Sequence, residues 1–451
     1  MLYPSGFDKL LTLDELRDCS GNDVALCNVG RILLGEKKET QLANYMKILR
    51  SLEIVDYEPA SNPGNFRFYP RGALMFLLIK DLMESEASSN FGSLSVLTPM
   101  IYSYENAAIQ GQAGQFYDRL YKVYGSEPDE NLILRFNGDV GCFEAMKAGI
   151  ISHRQLPFRV HEFATSFRYN MSGELSGIRR ARNFSFLDLH SFSATQAQAI
   201  LEYQDIYRKQ MLFAERLGLR TVPFFRVQRD FYRENKSWLV DLIRERQTPV
   251  LLEIMPDQSQ YWAMKNVVFT EAGVPLFHIQ LDLENGQRYG IKFVDTDGLK
   301  KNCAIIHVSF GSVEEWMVFL TMANMKNPYP SYPLWLSPIQ VRIIPVSARN
   351  VLHCLRIAQK MNSGKIRADV DDRQKTVGAR IRNAFESWVP YLVICGDEET
   401  KYGIYKLSSK NEVVAAGSID ELIGILNEGN EKWPYRPWPG VLVSKIPAFG
   451  K

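Results

Sequence analysis

The sequence lacks an excess of charge of either sign. Its 451 residues carry 53 Lys and Arg against 51 Asp and Glu, which leaves a formal net charge of +2. Because positive and negative charges are so nearly equal in number, the net charge gives no evidence for or against nucleic-acid binding. Any site for a polyanion must therefore be a local patch of positive charge. Apolar residues make up 46% and charged residues 23%, which excludes a disordered or low-complexity protein.

Long apolar stretches are also missing. The run Ala73–Ile79 ends at Lys80 and Asp81, far short of a bilayer span. The N-terminus has no basic region followed by an apolar one, so we expect no signal peptide. No C-x-x-C pair occurs among the cysteines, which are Cys19, Cys27, Cys142, Cys303, Cys354 and Cys395. We therefore expect reduced thiols in a cytoplasmic protein without membrane contact.

Breaks in the pattern divide the chain into segments. Residues 1–60 are predicted to be a helical N-terminal segment, and Ser61-Asn-Pro-Gly64 ends it. Strands outnumber crossover helices in residues 61–330, which favours an antiparallel sheet flanked by helices. Three prolines in residues 327–333 predict a linker. Residues 331–430 alternate strands and helices as a small α/β domain, and 431–451 form a tail, so the fold class is α+β.

One segment concentrates arginine around glycine. Between two predicted strands lie Arg168, Arg179, Arg180 and Arg182, together with the glycines of Ser172-Gly-Glu-Leu-Ser-Gly177. Guanidinium forks bind phosphate oxygens in pairs, and glycine permits close backbone approach. The segment is therefore either a polyphosphate site, with Phe184 available to stack on a base, or a solvated hairpin tip.

Taken in order, several segments resemble the class II aminoacyl-tRNA synthetases, and among them the threonyl-tRNA synthetases. Residues 168–190 resemble motif 2, and Pro99 falls at the motif 1 proline of the dimer interface. Leu334-Trp-Leu-Ser-Pro-Ile-Gln-Val341 is similar to the entry of the anticodon-binding domain, and residues 277–291 resemble the archaeal branch. The resemblance covers residues 60–430. Nothing matches the family's N-terminal editing domain, for which sixty residues are too few.

The resemblance implies a homodimeric threonine--tRNA ligase that activates threonine with ATP and Mg²⁺ and transfers it to tRNA. It implies catalytic roles for Arg168 and Arg180, which also bind ATP. It further implies an ATP site and an amino-acid site; the first contains Asn170, Phe184 and Gln280, and the second Asp188 and Tyr261. Without an editing domain, we expect serine to be mischarged unless a separate protein edits the product.

Threonine selectivity in the family rests on zinc held by one Cys and two His. His190 and His307 match the two histidines, whereas the cysteine position reads Asp139. Two imidazoles and a carboxylate are an acceptable zinc set with an open position, although the harder oxygen ligand also admits other divalent metals. The other interpretation is a lost site with two hydrogen-bonded histidines and a solvated carboxylate.

The chain departs from the family most sharply at motif 3. In the family, a motif 3 arginine binds the γ-phosphate of ATP. The corresponding position of this chain lies in Gly311-Ser-Val-Glu-Glu-Trp316 and is occupied by Glu315. A carboxylate there repels a triphosphate. One hypothesis is a working ligase in which Arg179 or a neighbour supplies the charge. The alternatives are a tRNA-binding or regulatory paralogue without adenylation, and an enzyme for another substrate such as serine, since Asp139 and Phe186 alter the amino-acid pocket.

Overall fold

The chain forms two compact units in the computed structural model, which describes residues 2–3, 24–35, 43–125, 130–246, 249–410 and 412–449. The first unit consists of the described part of Met1–Leu42, Pro63–Asn65 and Met83–Phe319. The second consists of Ala43–Asn62, Phe66–Leu82 and Leu320–Lys451, again in their described part.

A nine-stranded sheet forms the centre of the first unit. Its strand order is Leu2–Tyr3, Val250–Met255, Thr221–Gln228, Trp262–Thr270, Pro275–Asp282, Ala304–Ser312, Asn183–Ser193, Phe158–Phe167 and Leu94–Ser95. Neighbouring strands are antiparallel except at two places, where Thr221–Gln228 pairs with Val250–Met255 and Leu94–Ser95 pairs with Phe158–Phe167. The antiparallel sheet predicted from the sequence is therefore confirmed.

Helices cover this sheet. The longest, Gln196–Arg216, begins at Thr195, whose hydroxyl accepts a hydrogen bond from the Gln198 backbone N–H. Its buried side packs on the central strands, where Phe213 contacts Phe277. The other helices with residues in this unit are Val24–Leu33, Pro70–Ser89, Ala107–Ala113, Asp139–Lys147, Arg229–Glu245, Asn285–Tyr289 and Val313–Asn324, with 3₁₀ turns at Gly114–Arg119, His153–Gln155 and Ser172–Glu174.

Two small sheets complete the first unit. They consist of Ile101–Ser103, Leu132–Leu134 and Lys122–Val123, and of Lys300–Asn302, Lys292–Val294 and Ile151–Ser152. Beside them lies a cluster of buried apolar side chains around Phe136, Phe143 and Tyr289. This cluster supports the start of helix Asp139–Lys147, which carries the predicted ligand Asp139.

The second unit contains a five-stranded sheet with the order Ala368–Val370, Val341–Pro345, Tyr391–Cys395, Tyr405–Ser408 and Val413–Gly417. The first three strands are parallel and the last two antiparallel. Its helices are Ala43–Ser51, Val351–Ser363, Val377–Glu386, Asp397–Tyr402 and Ile419–Asn427, with turns at Ala348–Asn350 and Val443–Lys445 and a hairpin of Val55–Tyr57 and Phe66–Phe68. The α/β alternation expected after the prolines is present.

Several features differ from the sequence-based expectations. Residues 1–60 were expected to be helical, but Leu2–Tyr3 is a strand that pairs with Val250–Met255 and Val55–Tyr57 is another. The strand expected to reach Pro99 is only Leu94–Ser95.

The cysteines also differ from the expectation of six reduced thiols. Cys27 is disulfide-bonded, so the expectation is wrong there, whereas the free cysteines are Cys142, Cys303, Cys354 and Cys395. Among the described residues, none of the helices has the length and apolar character needed to cross a bilayer.

Candidate active site

A cavity of about 670 Å³ opens on the central strands of the nine-stranded sheet. Nine of the ten predicted site residues line it: Asp139, Arg168, Asn170, Arg180, Phe184, Asp188, Tyr261, Gln280 and His307. The tenth, His190, is hydrogen-bonded to Asp139. The residues chosen from separate segments thus surround a single cavity, while their individual roles remain predictions.

Strand register places the two histidines side by side. His190 lies opposite His307 in the pairing of Asn183–Ser193 with Ala304–Ser312, and His307 lies opposite Gln280 on the next strand. Asp139 reaches this row from the first turn of its helix. Its Oδ1 is 3.0 Å from His190 Nε2 and 3.3 Å from His307 Nδ1. Three potential ligand atoms therefore converge on one point.

The other oxygen of Asp139 is fixed by amides. Oδ2 accepts hydrogen bonds from Gln112 Nε2 at 2.6 Å and from Asn137 Nδ2 at 2.9 Å. The Tyr289 hydroxyl in turn contacts Gln112 Oε1. Because these donors hold Oδ2, Oδ1 is directed at the two imidazoles. Sequence reasoning missed Gln112 and Asn137, since a lone amide carries no motif.

His307 has a second carboxylate partner that the sequence analysis also missed. Its Nε2 lies 2.7 Å from Asp282 Oδ2, and Asp282 is fully buried. Asp282 is held by the backbone N–H groups of Glu284 and Asn285 and by Asn285 Nδ2. A carboxylate on Nε2 favours the Nε2–H tautomer, which leaves the Nδ1 lone pair for a metal. The signal was available, because Gln280 and Asp282 are two apart on one strand and share a face.

Charges in this cluster shift one another strongly. Burial alone would raise the pKa of Asp139 and lower that of His307, but their mutual attraction reverses both effects. The pKa of Asp139 lies well below its usual value, and that of His307 is raised to about 9. Burial raises the pKa of Asp188 to about 7, a net value that includes the opposing attraction of His190 and the repulsion by Asp139. The cluster thus already balances an anionic carboxylate with positive charge.

The three residues fit a zinc ion. Their ligand atoms all lie within 4.8 Å of one another. Asp139 Oδ1 is 3.0 Å and 3.3 Å from the two imidazole nitrogens, which is close to the separation of roughly 3.3–3.5 Å between the ligands of a tetrahedral zinc with bonds of about 2.0–2.2 Å. Among the described residues they are the one such group of three, so neither Cys142 nor Cys303 belongs to it. His190 Nδ1 is buried and has no hydrogen-bond partner, whereas its Nε2 lies 3.0 Å from Asp139 Oδ1.

Close packing also fixes Asp188 beside the cluster. A Cβ at Gly138 would lie 2.3 Å from Asp188 Oδ2, so the start of the Asp139 helix rests directly on this carboxylate. Asp188 Oδ1 is 4.0 Å from His190 Nε2. Asp188 also lines the cavity, so its carboxylate can accept a hydrogen bond from a ligand bound next to the three-residue cluster.

The opposite end of the cavity is aromatic and cationic. The Arg168 guanidinium lies between two rings, 5.1 Å from the centroid of Phe116 and 5.0 Å from that of Phe184, and its Nε donates to the Phe136 carbonyl. Asn170 Nδ2 donates to the Ala181 carbonyl at 2.7 Å. Arg168 is thus rigidly held with its charge facing the cavity.

Two further predicted residues meet on the cavity wall. The Tyr261 hydroxyl donates to Gln280 Oε1 at 2.7 Å, and the Tyr261 ring contacts His307. Lys265, which lies opposite Gln280 in the sheet, adds a cation. Burial, together with the neighbouring arginines Arg226 and Arg168, lowers the pKa of Lys265 to about 8. Lys265 was missed because an isolated lysine in a strand has no distinguishing pattern.

Glu315 lines the cavity, but its carboxylate has a structural partner. Oε2 accepts a hydrogen bond from the Ser312 backbone N–H at 3.0 Å, and the Glu315 N–H donates to Ser312 Oγ at 3.1 Å. This reciprocal pair is a capping box at the start of helix Val313–Asn324. Position 315 therefore stabilises the helix end and supplies no cation.

Comparison with known proteins agrees with this architecture. Residues 121–324 match the tRNA synthetase class II core domain (G, H, P, S and T), and residues 340–428 match an anticodon binding domain. A threonine--tRNA ligase of Thermococcus sibiricus is 35% identical over 91% of this chain and 68% of its own length. That of Thermococcus onnurineus is 34% identical over 100% and 73%.

Solved structures show the same fold. A structure described as the RNA binding domain of threonyl-tRNA synthetase from Cryptosporidium parvum Iowa II has a TM-score of 0.74 at 20% identity, covering 85% of this chain and 98% of its own. Prolyl-tRNA synthetase from Cryptosporidium parvum, complexed with L-proline and AMP, has a TM-score of 0.66 at 15% identity over 86% and 75%. The match to the curated ligases, together with the class II core, shows that this chain belongs to the threonyl-tRNA synthetase family.

Proposed function

We propose that this chain is a threonine--tRNA ligase, which activates threonine with ATP and transfers the threonyl group to tRNA. The observation that carries the proposal is that one cavity joins an arginine-lined, aromatic end to a cluster of two histidines and a carboxylate. The arginine-lined end suits a nucleoside triphosphate, and the histidine and carboxylate cluster suits a small amino acid with a hydroxyl group. The curated relatives that this chain matches are named threonine--tRNA ligases.

At the nucleotide end, we assign ATP with Mg²⁺. Arg168 bridges the α-phosphate and the amino-acid carboxylate, while Arg180 binds the phosphates with its fork of donors. Phe184 stacks on the base. Asn170, whose amide nitrogen is held by Ala181, offers its oxygen to the base, and Gln280 completes the polar wall.

At the amino-acid end, Asp188 accepts a hydrogen bond from the amino group of threonine, and Tyr261 closes the pocket against His307. Zinc would be held by Asp139 Oδ1, His190 Nε2 and His307 Nδ1. It would supply a Lewis acid that favours a substrate with a hydroxyl group, so that valine, which has none, would leave the site unsatisfied. The chain's own contribution is orientation, because Gln112 and Asp282 fix the ligands from behind.

We further propose a cytoplasmic homodimer that binds tRNA through residues 331–430. The dimer is supported by apolar side chains on either side of Pro99, where Leu97 is 88% and Met100 is 48% exposed. Surfaces of this kind are typical of protein interfaces. The tRNA assignment is supported by the match of residues 340–428 to an anticodon binding domain.

ATP–pyrophosphate exchange with a panel of twenty amino acids tests the proposal. We expect exchange with threonine, weaker exchange with serine because both carry the hydroxyl, and none with valine. Charging of tRNA with labelled threonine tests the second step. A folded protein that shows no threonine-dependent exchange would overturn the assignment.

One observation favours a second candidate function. Glu315 leaves motif 3 without its cation, as expected for a synthetase-like tRNA-binding or regulatory protein that does not adenylate. Calorimetric titration with Mg·ATP separates the two, since this candidate predicts no ATP binding and retained tRNA binding. The amino-acid panel also identifies activation of another substrate, which Phe186 in the cavity wall would permit.

A further inference from the structure

Two arginines converge on one oxygen at the cavity edge. Arg119 Nη2 lies 2.7 Å and Arg180 Nη2 lies 2.9 Å from the same atom, Glu174 Oε1. All three residues line the cavity that contains Arg168 and Phe184. Arg119 lies outside the motif 2 segment, at the end of the 3₁₀ turn Gly114–Arg119. The structure thus contains a site where an anionic oxygen is held between two guanidinium groups.

The carboxylate in this site is held by its other oxygen. Glu174 Oε2 accepts a hydrogen bond from the Met171 backbone N–H at 3.0 Å, within the turn Ser172–Glu174. That bond and the nearby Arg180 and Arg119 lower the pKa of Glu174, so the side chain is an anion at neutral pH. The exposed fractions are 41% for Arg119, 47% for Arg180 and 27% for Glu174. A partly exposed ion pair of this kind is weak and open to competition by a stronger anion.

The position of Arg119 is fixed relative to motif 2. Its carbonyl accepts a hydrogen bond at 2.8 Å from the N–H of Tyr169, the residue that follows Arg168. Phe116, in the same turn, packs on the Arg168 guanidinium. Backbone and side chain therefore tie the turn to the arginine assigned to the α-phosphate, and Arg119 faces the same cavity.

We propose that Arg119 and Arg180 form a clamp for the terminal phosphate of ATP, with the Glu174 carboxylate as the anion that the phosphate displaces. The inference rests on the proposed function, since it concerns the triphosphate of the same nucleotide. In this proposal, Arg119 supplies the positive charge that is missing at position 315, where Glu315 replaces the motif 3 arginine. Two guanidinium forks around one oxygen are the arrangement that binds phosphate oxygens.

Competition favours the phosphate. A terminal phosphate offers more charge and more oxygens than a carboxylate, so each guanidinium gains a second acceptor. Glu174 keeps its bond to Met171 when displaced, which limits the cost of the exchange. AMP does not carry the terminal phosphate, so the clamp discriminates between nucleotides by the length of the phosphate chain.

Calorimetric titrations of Mg·ATP and AMP into the full chain and its variants test the clamp. Arg119→Gln should weaken ATP binding at least tenfold and leave AMP binding within twofold, with Arg119→Lys in between. Glu174→Gln should tighten ATP binding and leave AMP unchanged. In the double variant, the gain from Glu174→Gln should be smaller than in the parent chain, because the Glu174 carboxylate then competes for Arg180 alone.

The matched control is Arg208→Gln, since Arg208 forms an exposed pair with Glu245 that has no part in the cavity. It should bind both nucleotides like the parent chain, and circular dichroism checks that every variant is folded. Unchanged ATP affinity in Arg119→Gln, or equal loss of ATP and AMP, overturns the clamp alone. A parent chain that binds neither nucleotide overturns the proposed function together with it.

Discussion

His190 and His307 are directly opposed residues on neighbouring antiparallel strands, with ring centroids 5.0 Å apart at an angle of 71°. Phe143 packs edge-on against both rings, at 5.0 Å and 5.6 Å. The sheet backbone therefore sets the distance between the two imidazoles, and the Asp139 helix adds the third group. A site built on strands is positioned more rigidly than one built on loops.

The first prediction concerns Asp282, which contacts His307 from behind. Asp282→Asn removes the anion that fixes the Nε2–H tautomer, so we expect zinc affinity to fall about 10- to 100-fold. Competition of the purified protein with a chromophoric chelator measures this without any activity assay. Asp295→Asn is the control, because Asp295 is a surface carboxylate paired with Lys301. Equal zinc affinity in both variants would show that Asp282 does not support the ligand.

The second prediction concerns the capping box of Glu315 and Ser312. Glu315→Ala removes the reciprocal hydrogen bonds and should cost about 1 kcal/mol of unfolding free energy. Glu315→Arg should cost a similar amount but strengthen Mg·ATP binding, because it exchanges an anion in the cavity wall for a cation. Urea denaturation and calorimetry measure the two effects. An arginine variant with unchanged ATP affinity would contradict a phosphate position near residue 315.

The third prediction concerns Lys265, whose pKa burial lowers to about 8 from 10.5. Below pH 8 the buried lysine is charged, which destabilises the folded protein. Between pH 8 and 10.5 the unfolded chain binds more protons than the folded protein, so the free energy of unfolding rises as the pH increases through this range. Lys265→Met should therefore raise the melting temperature at pH 7, with a gain that shrinks above pH 8. The same variant should bind Mg·ATP more weakly. A gain independent of pH would contradict the titration of Lys265.

The fourth prediction concerns the second unit, where Arg342 and Asp369 form a buried two-pronged ion pair with bonds of 2.8 and 2.6 Å. Asp369→Asn leaves the guanidinium without its counter-charge and should cost roughly 3–5 kcal/mol. Chemical denaturation measures the loss. Lys360 and Asp420 form an exposed pair in the same unit, and Asp420→Asn should cost less than about 1 kcal/mol. Similar losses in both variants would argue against burial as the cause.

Much of the fold followed from local patterns. The antiparallel sheet in residues 61–330 and the alternation of strands and helices after the prolines were both predicted, because hydrophobic periodicity and turn residues indicate strands and helices directly. Helix Arg229–Glu245 was missed. Its sequence is strongly polar, and only a narrow stripe around Phe231, Leu239 and Leu242 is buried. The strand Leu2–Tyr3 was unpredictable, since two residues show no period and depend on a partner near Leu251.

The candidate site was predictable where family motifs identify residue types, as for Arg168, Asp188 and the two histidines. The spacing of Ser312 and Glu315 is typical of a capping box, so the capping role of Glu315 was predictable from the sequence. The sequence analysis considered only the negative charge of Glu315. Asp282 was missed although it shares a strand face with the predicted residue Gln280. Gln112 and Arg119 were missed because each acts by contacting a residue far away in the chain, and no spacing rule records such a contact.

The sequence by itself determined which charges, rings and imidazoles the chain contains, the order of its motifs and the antiparallel character of its sheet. Local propensity and composition are sufficient for these properties. Only the tertiary structure decided that Asp139 Oδ1 faces two histidines and that Arg119 meets Arg180 at one carboxylate oxygen. Strand register and helix packing fix such distances to within an ångström, and both arise from contacts between distant segments.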